Sequence, residues 1–220
     1  MQNTVKENLL QIQQEIAPSQ PRIIAITKYF DENKLIEAYD AGLRDFGENS
    51  VQDALNKFAK LPKEIVKTST FHLVGHLQTN KVKKAVGNFD YIHSVDSLKL
   101  LEAVDIEAKK KNIIQKVLVQ VNNANEVQKY GLSIDKVVDL FSKISNYNNC
   151  EVAGLMNIAP VDATDSELEK LFSQVRELKS ELERTFKIEL RELSMGMSND
   201  YKIAVCQCST MLRIGRKLFT

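Results

Sequence analysis

"RIIAITKYFDENKLIEAYDAGL", residues 22–43, decides the fold of this chain. Ile23, Ile24, Ala25 and Ile26 form an apolar run without polar alternation, which is how a strand covered on both faces reads. Lys28 stands where that strand must surface. A helix is expected from about Asp31, because Leu35, Ile36, Tyr39 and Leu43 recur on one side of a 3.6-residue turn. Strand, surfacing residue and amphipathic helix together make one β/α unit.

The same unit repeats outward from this stretch. "LRDFGE" (43–48) leads into "NSVQDALNKFAKL", where Asn49 and Gln52 have capping-box spacing. "FHLVG" (71–75) precedes the helical "LQTNKVKKAV", and "FDYIHSV" (89–95) precedes "DSLKLLEAVDIEAKK" with Asp96 as expected cap. "QKVLVQVN" (115–122) is followed by a helix capped by Ser133. "EVAGLMNIA" (151–159) is followed by a long helix with Thr164 and Glu167 as capping box. "IELREL" (188–193) precedes a helix opened by Ser198 or Asn199, and "STMLRIG" (209–215) is the eighth strand. Strands that alternate with helices pair in parallel through right-handed crossovers. Eight of them, with no G-x-G-x-x-G after the first, predict an α/β fold: a single (β/α)8 TIM barrel over 1–220. Val5, Leu9, Ile12 and Ile16 add one amphipathic helix before the first strand, ending ahead of Pro18.

Composition narrows the function classes. A formal net charge of +1 supplies no bulk attraction to nucleic acid or to an anionic membrane. The basic runs at 80–84 and 108–112 fall in helical patterns and read as solvated faces. The amino-terminal helix lacks the pattern of an export signal, and no stretch is long enough to span a bilayer, so a cytoplasmic protein is expected. Three cysteines, an odd number, argue against a disulfide framework, and the Cys206/Cys208 pair lies in a helical stretch with no second pair to complete a zinc site. His72 and His76 are four apart but flank a strand end, so no metal site is expected and both read as structural or ligand-facing.

In such a barrel, chemistry gathers at the carboxyl ends of the strands, and phosphate binds near strands seven and eight. "SMGMSND" (194–200) combines Gly196 with the Ser194 and Ser198 hydroxyls at a helix start, and "RIG" adds Arg213 and Gly215 to that corner. An ammonium of Lys28 held inside the barrel mouth near Arg213 would be destabilised by desolvation and like charge, which frees the amine as a nucleophile. A phosphate cradle facing an amine across one rim suits pyridoxal 5′-phosphate, with Lys28 forming the Schiff base.

The stretches "FGENSVQDALNK" (46–57), "FHLVGHLQTNKVKKAV" (71–86), "SVDSLKLLEA" (94–103), "QVNNANEVQKYGLS" (120–133), "GLMNIAP" (154–160), "LSMGMSNDYKIAV" (193–205) and "STMLRIG" (209–215) resemble the YggS/PROSC family of pyridoxal phosphate homeostasis proteins. The resemblance implies a barrel of the alanine-racemase N-terminal type carrying the cofactor on Lys28. It implies that Ser198, Gly215 and the backbone of Ser194, Met195, Gly196 and Met197 hold phosphate, that Arg213 faces the pyridine nitrogen, and that Asn49 lies beside the ring. His76, Met156 and Tyr201 are candidates for the ring face or the mouth. The chain departs from the family pattern at Tyr29 and Phe30 after the lysine, at Ser50, at Asn157 and in "CQCST" (206–210).

The implied role is buffering or delivery of pyridoxal phosphate without established turnover, with cofactor-dependent apo-enzymes as transient recipients and a monomer expected. An arginine can only donate to the pyridine nitrogen, which leaves the ring a poor electron sink, and no second catalytic domain is expected after Thr220. Two alternatives use the same lysine: a small pyridoxal-phosphate-dependent racemase or lyase, and a Schiff-base aldolase.

Overall fold

The computed structural model describes residues 4–124, 126 and 130–220; of the stretch 120–133, residues 125 and 127–129 lie outside the described residues. Eight parallel strands close into a barrel in sequence order: β1 (Arg22–Ile26), β2 (Asp45–Glu48), β3 (Thr70–Leu73), β4 (Tyr91–Val95), β5 (Gln115–Val121), β6 (Cys150–Asn157), β7 (Glu192–Met197) and β8 (Met211–Ile214). The ring closes where Ala25 of β1 sits opposite Ile214 of β8. The expected (β/α)8 barrel is the fold found.

The helices between them are α2 (Glu32–Asp40), α3 (Val51–Phe58), α4 (Lys63–Thr68), α5 (Val82–Ala85), α6 (Leu98–Lys111), α7 (Ile134–Phe141), α8 (Asp165–Phe186) and α9 (Tyr201–Cys206). An amino-terminal helix, α1 (Val5–Glu15), and a final turn, α10 (Arg216–Phe219), pack against each other, with Asn8 Nδ2 donating to the Leu218 carbonyl at 3.1 Å. The helix α1 begins where its sequence says it should. Thr4 and Glu7 form a complete capping box, and Val5, Leu9 and Ile12 bury the inner stripe. The Thr164–Glu167 capping box opens the 22-residue α8 in the same way.

Other boundaries move by a residue or more. Ser50, not Asn49, caps α3, its hydroxyl accepting from the Asp53 N–H. Ser97, not Asp96, caps α6. The helix after "LQTN" is a single 3-10 turn followed by the one-turn α5. The larger shift is at β7, which spans Glu192–Met197 and not "IELREL". Ser194 and Gly196 thus lie in the strand and not in a loop, and α9 starts after Asp200 and not at Ser198 or Asn199. A serine is tolerated inside the barrel because Arg213 and His93 reach it from neighbouring strands.

Each strand separates two cores. Ile23, Ala25, Phe46, Leu73 and Leu212 face outward into the large apolar layer under the helices. Ile24, Tyr91, Leu118, Met156 and Met211 fill the barrel axis, with Ile26 packed on top. Lys28 follows Ile26 by two residues, just past the end of β1, at the carboxyl-end rim.

Candidate functional site

The rim is assembled strand by strand, beginning at Lys28. Thr27 faces outward and is fully buried. Its hydroxyl donates to Glu48 Oε1 at 2.6 Å, and Lys57 from α3 donates to that same oxygen at 2.5 Å and to the Thr27 carbonyl at 2.7 Å. A buried carboxylate–ammonium pair therefore holds the peptide immediately before Lys28. The lysine side chain itself is exposed, its Nζ 4.6 Å from the centre of the Tyr29 ring. The expectation of an ammonium desolvated inside the mouth beside Arg213 is not met, because the loop after β1 turns the amine outward over an aromatic face.

Next round the rim stand Asn49 and His76. A side chain at Gly75 would collide with the Asn49 carbonyl at 2.1 Å, so glycine lets the loop after β3 lie directly on the loop after β2. Between them opens a cavity of about 320 Å³ lined by Asn49, Ser50, His76, Gln78 and Lys81. His76 stacks on Tyr130 with ring centres 3.7 Å apart. Its Nδ1 lies 3.2 Å from Asp96, within ion-pair reach but without hydrogen-bond geometry. This recess lies to one side of Lys28, Ser198 and Arg213, none of which lines it.

The corner between β7 and β8 is held by close backbone contacts. Gly196 takes φ +90, and a Cβ there would meet Ala204 at 2.6 Å, so the chain turns tightly into α9. The Asp200 carboxylate accepts from the Met197 N–H, and the Ser198 hydroxyl accepts from the Lys217 N–H at 3.3 Å, which draws the two loops together. Among the described residues, the N–H groups of Ser198, Asn199 and Gly215 meet no protein acceptor. Gly215 lies against Ile26, one inward step below Lys28. Three free donors and a serine hydroxyl next to a lysine form a cradle suited to a phosphate group.

Beneath that cradle, Arg213 is buried at 4% exposure. It donates to the Ser194 carbonyl at 2.6 Å, to the Ser194 hydroxyl at 2.7 Å and to the Asn157 carbonyl at 2.7 Å. Those bonds use three of the five donors of a guanidinium. Burial pushes its pKa down, to about 10, partly offset by Asp200, and the group stays charged at neutral pH. Burial correspondingly raises that of Asp200.

The sequence-predicted residues divide into two sets. Lys28, Ser198, Arg213 and Gly215 come together at one rim with Met156 below them in the axial core, and Asn49 and His76 stand beside this group. Ser194 belongs to the interior, where Arg213 occupies its hydroxyl and carbonyl. Met195 points into the outer core. Tyr201 is 3% exposed on the helix side and bonds to Glu15 of α1, so its ring lies away from the mouth. Cys206 ends α9 and Cys208 follows it at φ 63, so the pair does not share a helix. Asp45, Glu48, Lys57 and His93 went unnoticed in the sequence. The signal for His93 was present: in Ile92–His93–Ser94 it follows an outward apolar residue, which marks an inward position.

Residues 2–220 match the family model of the alanine racemase N-terminal domain. The pyridoxal phosphate homeostasis protein of Aquifex aeolicus is 36% identical over 90% of this chain and 86% of its own. That of Synechocystis is 33% identical over 92% of each. The structure of PipY from Synechococcus elongatus with PLP bound superposes with a TM-score of 0.89 at 37% identity, covering 98% of this chain and all of that one. The chain belongs to the alanine racemase N-terminal domain family and, within it, to the pyridoxal phosphate homeostasis proteins.

Proposed function

We propose that this protein binds pyridoxal 5′-phosphate at the β1/β7/β8 rim and serves to store it and release it to other proteins, without catalysing a reaction of its own. The observation that carries this reading is the meeting of Lys28, the Ser198–Asn199–Gly215 donors and Arg213 at one end of one barrel. The group, when bound, supplies an aldehyde that condenses with a primary amine and a ring that can accept electrons. Lys28 is its covalent anchor. The free N–H groups of Ser198, Asn199 and Gly215, with the Ser198 hydroxyl, hold the phosphate.

Arg213 faces the ring nitrogen as a donor. A guanidinium cannot take up the compensating role of a carboxylate, so this residue keeps that nitrogen from gaining a proton. That favours carrying over turnover. The exposure of Lys28 supports release as well as capture, since the amine is open to solvent and to a partner at the same rim. Apo-enzymes that need the cofactor are the recipients, and the protein acts as a monomer in the cytoplasm.

Mixing the purified protein with pyridoxal phosphate should give a yellow one-to-one complex. Borohydride reduction followed by peptide mass spectrometry should place the added mass on Lys28. The Lys28→Ala variant should show neither. Equal colour and affinity in that variant would refute the anchor. Sustained exchange of an amino-acid α-proton in deuterated water would refute the non-catalytic part.

A further inference from the structure

The barrel axis holds a continuous line of polar groups that cofactor binding does not itself explain. Asp45 Oδ1 lies 3.0 Å from His72 Nε2, and His72 Nδ1 lies 2.9 Å from His93 Nε2. His93 Nδ1 lies 3.0 Å from Ser194 Oγ, and that oxygen accepts from Arg213 at 2.7 Å. His72, His93 and Ser194 are all fully buried. The line starts at β2 near the amino ends of the strands and finishes at Arg213 below the rim.

We propose that Asp45, His72, His93 and Ser194 are positioning residues, forming a one-way hydrogen-bond relay that sets the orientation and electrostatics of Arg213 from the opposite end of the barrel. The proposal rests on the reading that Arg213 meets the cofactor ring.

The direction follows from the carboxylate end and from the neutrality of the rings. A carboxylate only accepts, a neutral imidazole donates once and accepts once, and a hydroxyl donates once and accepts up to twice. Asp45 therefore takes the His72 Nε2 proton, which leaves His72 Nδ1 as an acceptor. His93 donates to that nitrogen from Nε2, and its own bare Nδ1 accepts from the Ser194 O–H, whose oxygen also accepts from Arg213. Both imidazoles are held as the Nε2–H tautomer. Flipping one ring alone would set two donors or two lone pairs against each other in the buried axis. The rings must therefore turn together or not at all.

Electrostatics agrees with this assignment. Burial lowers the pKa of His72, and that of His93 falls well below the usual range through burial first and then the adjoining His72 ring and the guanidinium groups of Arg213 and Arg22, so both rings are neutral at neutral pH. Other charged or titratable groups gather mainly at the Asp45 end. Arg22 of β1 lies 3.9 Å from Asp45 and pairs with Glu192 of β7. Tyr91 of β4 stacks on His72, Lys116 of β5 lies over the Tyr91 ring, and Asp90 adds its field from before β4. At the other end Arg213 has Asp200 as a charged neighbour. The relay brings the polarity of a second carboxylate to a buried cation that does not touch it.

The chain contains three histidines, so ¹⁵N-histidine labelling gives a spectrum that His76→Gln reduces to the two of interest. In cofactor-free wild-type protein, His72 and His93 should each show a protonated Nε2 and a bare Nδ1. Asp45→Asn replaces a pure acceptor with an amide that can also donate. It should bring out the Nδ1–H form in both rings together and shift the Arg213 side-chain resonances. Ser194→Ala keeps the carbonyl that Arg213 binds and removes only the link. It should leave His72 as it was, move Arg213, weaken pyridoxal phosphate binding about tenfold and change the absorption band of the bound cofactor.

A wild-type spectrum with protonated Nδ1 in either ring would overturn the relay. So would an Asp45→Asn spectrum in which His72 changes while His93 and Arg213 do not. If both rings behave as expected but Ser194→Ala binds the cofactor with unaltered affinity and absorption, the link to the ligand end is refuted. A wild-type protein that binds no pyridoxal phosphate would refute the functional reading instead, and the imidazole spectra would still decide the relay.

Discussion

The outward and inward faces of the same eight strands follow different rules. Outward, Phe46, Leu73, Val119 and Leu212 meet Leu35, Leu101 and Phe172 of the helices in a dry apolar layer. Stability there comes from area removed from water, which has no direction, so residues of similar volume can replace one another. Inward, the apolar residues share the axis with His72, His93, Ser194 and Arg213, each bonded to specific atoms of the next. The inner face is committed by polarity and direction, the outer by volume. One group crosses this division. Glu48 faces outward yet is buried against Lys57 and Thr27, and it is this polar island that fixes the peptide leading to Lys28.

Truncating the outer layer should have the largest effect on stability. Phe172→Ala empties a fully buried site on α8 and should cost about 3–5 kcal/mol, lowering the thermal midpoint by about 10 °C while the affinity for pyridoxal phosphate in the cold changes little. A large loss of affinity there would break the separation of the two faces.

The polar island comes next. Lys57→Met leaves the Glu48 carboxylate buried and unpaired and should cost about 3 kcal/mol. Pairing it with Glu48→Gln should recover part of that loss in urea titrations. If the double variant were the less stable, the ion pair would have to be contributing net attraction beyond its desolvation.

A smaller effect is expected at the seam between α1 and the β7–β8 corner. The bond from Tyr201, with Lys217 and Lys202 beside it, holds the Glu15 carboxyl down to about 2. A carboxylate whose folded pKa is depressed stabilises the fold above its unfolded value and loses that contribution on acidification. The loss should run from about pH 4.5 towards pH 2, and Glu15→Gln should flatten it by about 1 kcal/mol or less. A variant with an unchanged acid limb would remove this contact from the stability of the corner.

The least effect on folding belongs to the residue with the greatest effect on binding. Lys28→Ala removes an exposed side chain and should alter unfolding free energy by less than about 0.5 kcal/mol, measured in urea, even though the yellow colour is lost. A costly Lys28→Ala would mean that the rim lysine supports the barrel as well as the ligand.

Much of this was legible beforehand, and the misses share one cause. The β/α alternation, the capping box at Thr164 and the lysine at the end of β1 are local signals, and local signals survive in one dimension. The strand β7 was misplaced because Ser194 and Gly196 look like a loop when their partners cannot be seen. His72 drew attention for the same polarity, but its partners, His93 and Asp45, sit on other strands and did not. Lys28 was located and its surroundings were not, since Tyr29 rather than Arg213 is its neighbour.

Hydrophobic periodicity and cap chemistry by themselves determine that this chain makes eight strands, the first seven each followed by a helix, because these signals depend on neighbours a few residues away. Only barrel closure decides what the inward residues do. It sets β1 beside β8, brings Ser194 to Arg213 and lines up two imidazoles between a carboxylate and a guanidinium. Hydrogen bonds of that kind join residues up to 101 positions apart, and their direction exists only once both ends are in place.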